Sequence, residues 1–204
     1  MRTLAYGFFG LVVLWATSAQ ADFYFNGDTT GGPTFLRPTS FSSVTTSRTY
    51  QAIPFYVDLT GEYFFEVDSQ ALNGFTHPDC FALVYAKGFD PTNPLADLIA
   101  GDDDFSGVFS MLTGTGGGTR SSRIALGESS NFAGPTTGLL LTAYTQYWAV
   151  VTGWGVGQQG TFRAAIGDGL GGGTVYLGAI PEPASVGLIG VAAILCVWGR
   201  RRRH

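Results

Sequence analysis

Tyr63-Phe64-Phe65-Glu66-Val67-Asp68 decides the fold class of this 204-residue chain. Tyr63, Phe65 and Val67 point one way, while Glu66 and Asp68 point the other. A period of two belongs to a strand with one face on a core, because side chains alternate across a strand. Working outward, Ala52 to Asp58 reads as its partner strand, with Leu59-Thr60-Gly61-Glu62 as the turn. Phe81-Ala82-Leu83-Val84-Tyr85 is apolar throughout, as in a strand buried on both faces. Gln146 to Thr152 sets Tyr147, Ala149 and Val151 against Trp148 and Val150, and Gly153-Trp154-Gly155-Val156-Gly157 makes a loop. Thr161 to Ile166 then turns Phe162, Ala164 and Ile166 inward. Nothing between Asp22 and Gly178 holds a helical period over a comparable length. The expected fold is all-β, an antiparallel β-sandwich of jelly-roll or Greek-key type.

Composition agrees. Aromatic residues make up 14% of the chain and charged residues 13%, which supplies a core and excludes a disordered polyelectrolyte. The 30 glycines carry no period of three, so they are turn formers and not a collagen repeat. Between Asp22 and Gly178 six Lys and Arg face fourteen Asp and Glu, a net charge of -8. So acidic a body has no clustered cations for phosphate, and nucleic acid is excluded as a partner. Cys80 is the one cysteine of the body and Cys196 lies in the tail, so no disulfide forms within the domain. Cys80 reads as a small buried hydrophobe in a strand.

The two ends differ from the body. Arg2, the apolar run Leu4 to Ala16 and the small residues Ala19 and Ala21 read as a secretory signal helix, cut after Ala21 by signal peptidase. At the other end Pro181-Glu182-Pro183 forms an extended spacer, since proline removes an amide and restrains the residue before it. Ala184 to Gly199 carries no charge and reads as a transmembrane helix. Arg200, Arg201, Arg202 and Arg203 follow and are expected to stay cytoplasmic. The chain thus divides into a signal peptide (1–21), a sandwich domain (22–178) and a tail (179–204).

The tail resembles the PEP-CTERM sorting signal of Gram-negative, exopolysaccharide-producing bacteria, with Ile180 where the family usually has Val. The resemblance implies recognition by an exosortase, transient anchoring in the inner membrane and delivery to the cell surface or exterior. A permanent single-pass anchor is the plainer alternative. The body, through GEYFFEVDS (61–69), DCFALVYAKGFDPTNPLADLIAGDDD (79–104) and TQYWAVVTGWGVGQQGTFRAAI (145–166), resembles the bacterial pre-peptidase C-terminal type of β-sandwich. The matching residues are Asp79, Leu83, Tyr85, Asp102 to Asp104, Trp148, Val150, Gly153, Gly160 and Phe162. That resemblance implies a hairpin from Tyr147 to Phe162. It does not extend over Asp22 to Thr49 or Phe105 to Gly138.

Candidate chemistry is sparse. Asp102-Asp103-Asp104 is the one charged cluster. It reads first as a solvated Asp turn, and its functional alternative is a weak calcium site, since calcium takes several hard oxygen ligands. His77 is the only histidine of the body and reads as a surface turn residue beside Pro78. One histidine and one cysteine are too few for structural zinc. No Gly-x-Ser-x-Gly or His-Glu-x-x-His motif occurs. The Gly116 to Thr119 and Gly171 to Thr174 runs lack the lysine of a phosphate-binding loop. Trp154 reads first as packing over the sandwich edge, with stacking on a sugar ring as the alternative. The expectation is a non-enzymatic surface or matrix protein that needs no cofactor and is associated with exopolysaccharide and biofilm. A calcium- or carbohydrate-binding accessory module is the second reading, and a hydrolase is disfavoured.

Overall fold

The computed structural model describes residues 22–68, 74–104, 112, 121–126, 132, 138–168 and 172–181. The expected signal helix with Ala19 and Ala21, and the expected transmembrane and arginine-rich tail from Glu182 through Pro183 to Arg203, lie outside the described residues. Among the described residues no helix is long and apolar enough to cross a membrane.

The described chain is all-β. Its strands are β1 (Phe23–Asp28), β2 (Thr34–Ser40), β3 (Ser43–Val57), β4 (Gly61–Asp68), β5 (Cys80–Ala86), β6 (Leu98–Asp102), β7 (Ser122–Ile124), β8 (Leu139–Leu141), β9 (Tyr147–Gly153), β10 (Thr161–Asp168) and β11 (Val175–Leu177). All pair antiparallel, in two sheets. One runs β1-β10-β4, with β7 beside Phe65–Val67 and β8 beside Gly61–Tyr63. The other runs β11-β3-β9-β5-β6, with β2 on the first half of β3.

Inward-facing residues of both sheets share one core. Phe55 and Val57 of β3, Ala82 and Val84 of β5 and Ala149 and Val151 of β9 meet Tyr63, Phe65 and Val67 of β4 and Phe162, Ala164 and Ile166 of β10. A second cluster covers the outer face of the larger sheet, where Phe81, Leu83, Tyr85 and Val150 pack with Phe35 of β2, Leu98 and Phe132. This two-sided burial is why β5 has no polar face. Each strand face is stabilised by roughly 25 cal/mol per Å² of apolar surface removed from water.

Three expectations need correction. Ala52 to Asp58 does not pair with Tyr63 to Asp68: β3 and β4 lie in opposite sheets, and the chain crosses between them at Asp58–Thr60. Crossing lets the apolar faces of both strands bury against each other across the core, and Tyr63 Oη donates to Leu59 O at 2.7 Å to hold the corner. β9 and β10 likewise separate into different sheets, so Tyr147 to Phe162 is not a hairpin. Gly160 (φ 155°) makes that crossing possible, because a Cβ there would stand 2.6 Å from His77 N. Finally, Glu66 and Asp68 do face away from the shared core, yet they are 0% and 1% exposed. Leu112 and Ser121–Arg123 contact them. Leu112 N donates to Glu66 Oε1 at 3.5 Å, Ser121 Oγ donates to Asp68 Oδ1 at 3.1 Å, and Arg123 Nε lies 3.9 Å from Glu66 Oε2.

Candidate functional site

Three strands of the larger sheet end together. β5 and β6 run antiparallel with Ala82 opposite Asp102, so the start of β5 and the end of β6 share one end of the sheet. On the other side of β5, Cys80 pairs with Gly153 and delivers Trp154 to the same end. Trp154 N donates to Asp79 O at 3.1 Å. Gly101 allows close packing there, since a Cβ would meet Leu83 Cδ2 at 2.9 Å and the Phe132 ring at 3.0 Å.

This register gathers carboxylates that are far apart in sequence. Asp79, Asp103 and Asp104 each offer one oxygen, and these oxygens lie within 4.8 Å of one another. Asp103 is buried at 7% exposure, and its Oδ1 has no hydrogen-bond partner. Its backbone oxygen is fixed by Ser122 Oγ, which donates at 2.6 Å. Burial first, then the charges of Asp104 and Asp79, push the Asp103 carboxyl up to about 7, while Arg37 pulls the other way.

Asp102 departs from the expected set. Its Oδ2 accepts from Arg123 N at 2.8 Å and ties β6 to β7. Among the described residues the carboxylates that group within reach of one ion are those of Asp79, Asp103 and Asp104, and Asp102 is not one of them. Asp79 replaces it. Its nearness was hidden because the pairing of the strands at 81–85 and 98–102 has to be assumed before Asp79 meets Asp103 and Asp104.

Arg37 of β2 lies near Asp103 and Asp79 and was not singled out by the sequence. It is 2% exposed, with its guanidinium carbon 4.2 Å from the Phe81 ring centroid and 4.5 Å from that of Trp154. Burial lowers its pKa to about 10, against the opposing pull of Asp103 and Asp79. Trp154 packs on Phe81, with centroids 6.1 Å apart and planes 18° apart, as expected of a residue over the sandwich edge. It nevertheless keeps 45% of its surface exposed. Arg48 Nε donates to Trp154 O at 3.1 Å and holds that backbone in place.

His77 is not a surface turn residue. It is 1% exposed, its N donates to Thr161 O at 3.0 Å, and its Nδ1 accepts from Asp79 N at 3.2 Å. Burial pushes it down to about 4, against the opposing pull of Asp28. It is therefore a neutral support for the backbone that presents Asp79. Cys80 is fully buried in the shared core, as the sequence implied.

The chain leaves the body at a separate place. β11 pairs with Phe55–Val57 of β3. Gly178 N then donates to Pro54 O at 2.8 Å, and Ile180 N donates to Gln146 Oε1 at 2.9 Å. The next residue, Pro181, is exposed. A comparison of the chain with protein-family models gives no match, and neither does a comparison with curated proteins.

Proposed function

We propose that the chain is an exported, non-catalytic surface or extracellular-matrix protein associated with exopolysaccharide, sorted by an exosortase. Its body is the β-sandwich, connected in jelly-roll or Greek-key fashion, and residues 179–204 form the sorting tail that anchors it in the inner membrane before processing. The observation that supports this reading is the exit of the chain. Hydrogen bonds hold the backbone to the sheet as far as Ile180, and Pro181, the first residue of Pro-Glu-Pro, stands exposed immediately after. The backbone is thus held up to the residue before the motif, and Pro181, the first residue of the motif, is accessible to a processing enzyme.

The test is the intact mass of protein recovered outside producing cells. The expected mass lacks Met1 to Ala21 and the segment beyond Pro-Glu-Pro. Glu182→Ala is expected to leave export across the inner membrane intact and to leave the tail uncut, so that protein retaining its tail accumulates in that membrane. Unchanged release of Glu182→Ala would overturn the sorting reading.

A further inference from the structure

Beyond delivery, the structure assigns the body a ligand: we propose that Asp79, Asp103 and Asp104 bind a hard divalent cation, calcium in an extracellular setting. The proposal is independent of how the protein is sorted.

Geometry is the first support. The three carboxylate oxygens lie within 4.8 Å of one another. Calcium holds oxygens at about 2.3–2.6 Å, so two of its ligands stand at most about 5 Å apart. Magnesium holds them at about 2.0–2.1 Å and demands a tighter octahedron. All three donors are carboxylates, with no sulfur or imidazole, and that chemistry suits calcium better than zinc.

The second support comes from Asp103 alone. Its Oδ1 is buried and makes no hydrogen bond, on a side chain that is 7% exposed. Buried acceptors in folded proteins are nearly always satisfied. An oxygen left without a donor, on a buried carboxylate that is grouped with two others, is matched by a cation. The nearby positive charge does not fill that role: Arg37 lies over the rings of Phe81 and Trp154.

The scaffold is preformed. Asp79 is held by its N–H to His77 Nδ1 and by its carbonyl from Trp154 N, and the Asp103 carbonyl is held by Ser122. Trp154 stands beside Asp79 and reports on occupancy.

The experiment uses the exported protein, stripped with a chelator and titrated with Ca²⁺. Melting temperature is read alongside terbium emission sensitised by tryptophan. A rise in melting temperature and saturable terbium emission displaced by calcium are expected, with half-saturation at about 0.1–1 mM, the range of extracellular calcium modules. Asp104→Asn and Asp103→Asn are each expected to weaken binding by about tenfold or more, because affinity follows ligand charge. Asp104 is half-buried, so Asp104→Asn carries the test even where a change at Asp103 harms folding. Asp102→Asn separates the two donor sets: it is expected to lower stability and keep the calcium response. Asp90→Asn, an exposed turn residue, is expected to change neither. A folded protein that ignores about 10 mM calcium, well above that range, would overturn the proposal. So would an Asp104→Asn protein with the wild-type response. Neither result touches the sorting reading, which the mass measurement decides separately.

Discussion

Two buried titratable residues lean in opposite directions, and each has a pH signature. The Asp103 carboxyl is held at about 7 against its ordinary 3.8, chiefly by burial. In the cation-free protein the folded state keeps a proton that the unfolded chain releases. Its contribution to stability is complete below about pH 4 and is lost as pH rises through about 7. His77 is held at about 4 against its ordinary 6.5, again by burial. Its contribution is complete above about pH 6.5 and is lost as pH falls towards 4. In chelator, Asp103→Asn is expected to abolish the loss on the alkaline side and to expose the acid loss due to His77. Urea midpoints between pH 4 and 8 measure this, and a profile unchanged by the substitution would contradict the burial of Asp103. At this scale Asp103, Asp104 and Trp154 were legible as candidates from residue type alone. Asp79 and Arg37 were not, because each acquires its role from a neighbour more than twenty residues away.

β5 shows what an element's pattern can and cannot say. Its unbroken apolar run announced burial on both faces, and both faces are buried: Ala82 and Val84 in the shared core, Phe81, Leu83 and Tyr85 in the outer cluster. Leu83→Ala is therefore expected to cost about 2–5 kcal/mol, the range for emptying a packed leucine site, although Leu83 faces away from the partner sheet. Chemical denaturation measures it; a loss under about 1 kcal/mol, typical of surface changes, would mean that the outer cluster contributes little. β4 was read correctly in its alternation and incorrectly in its surroundings. The period of two says that Glu66 and Asp68 share a face, but not that Leu112 and Ser121 contact them. Pairing was the weakest reading. Short linkers such as Leu59–Glu62 suit a hairpin and a crossing between sheets equally well, and only the demand to bury both apolar faces chooses the crossing.

The whole molecule is knitted by distant pairs. β1 pairs with β10 and β10 with β4, whereas β2–β3 and β5–β6 are the sequence-adjacent strands that pair among those described. Closing such large loops comes before the contacts that compensate for it, so refolding is expected to take milliseconds to seconds. Stopped-flow tryptophan fluorescence on the exported protein measures it, and microsecond refolding would contradict this topology. The sequence by itself determined the all-β class, the inward faces of β4, β9 and β10 and the two-sided burial of β5. These follow from local alternation, which each segment carries within itself. Only the tertiary structure decided which strands share a sheet, that Glu66, Asp68 and His77 are buried, and that Asp79 joins Asp103 and Asp104 while Asp102 accepts from Arg123 N. Those are facts about register between segments far apart in the chain, set by how two apolar faces close over one another, and no local pattern records them.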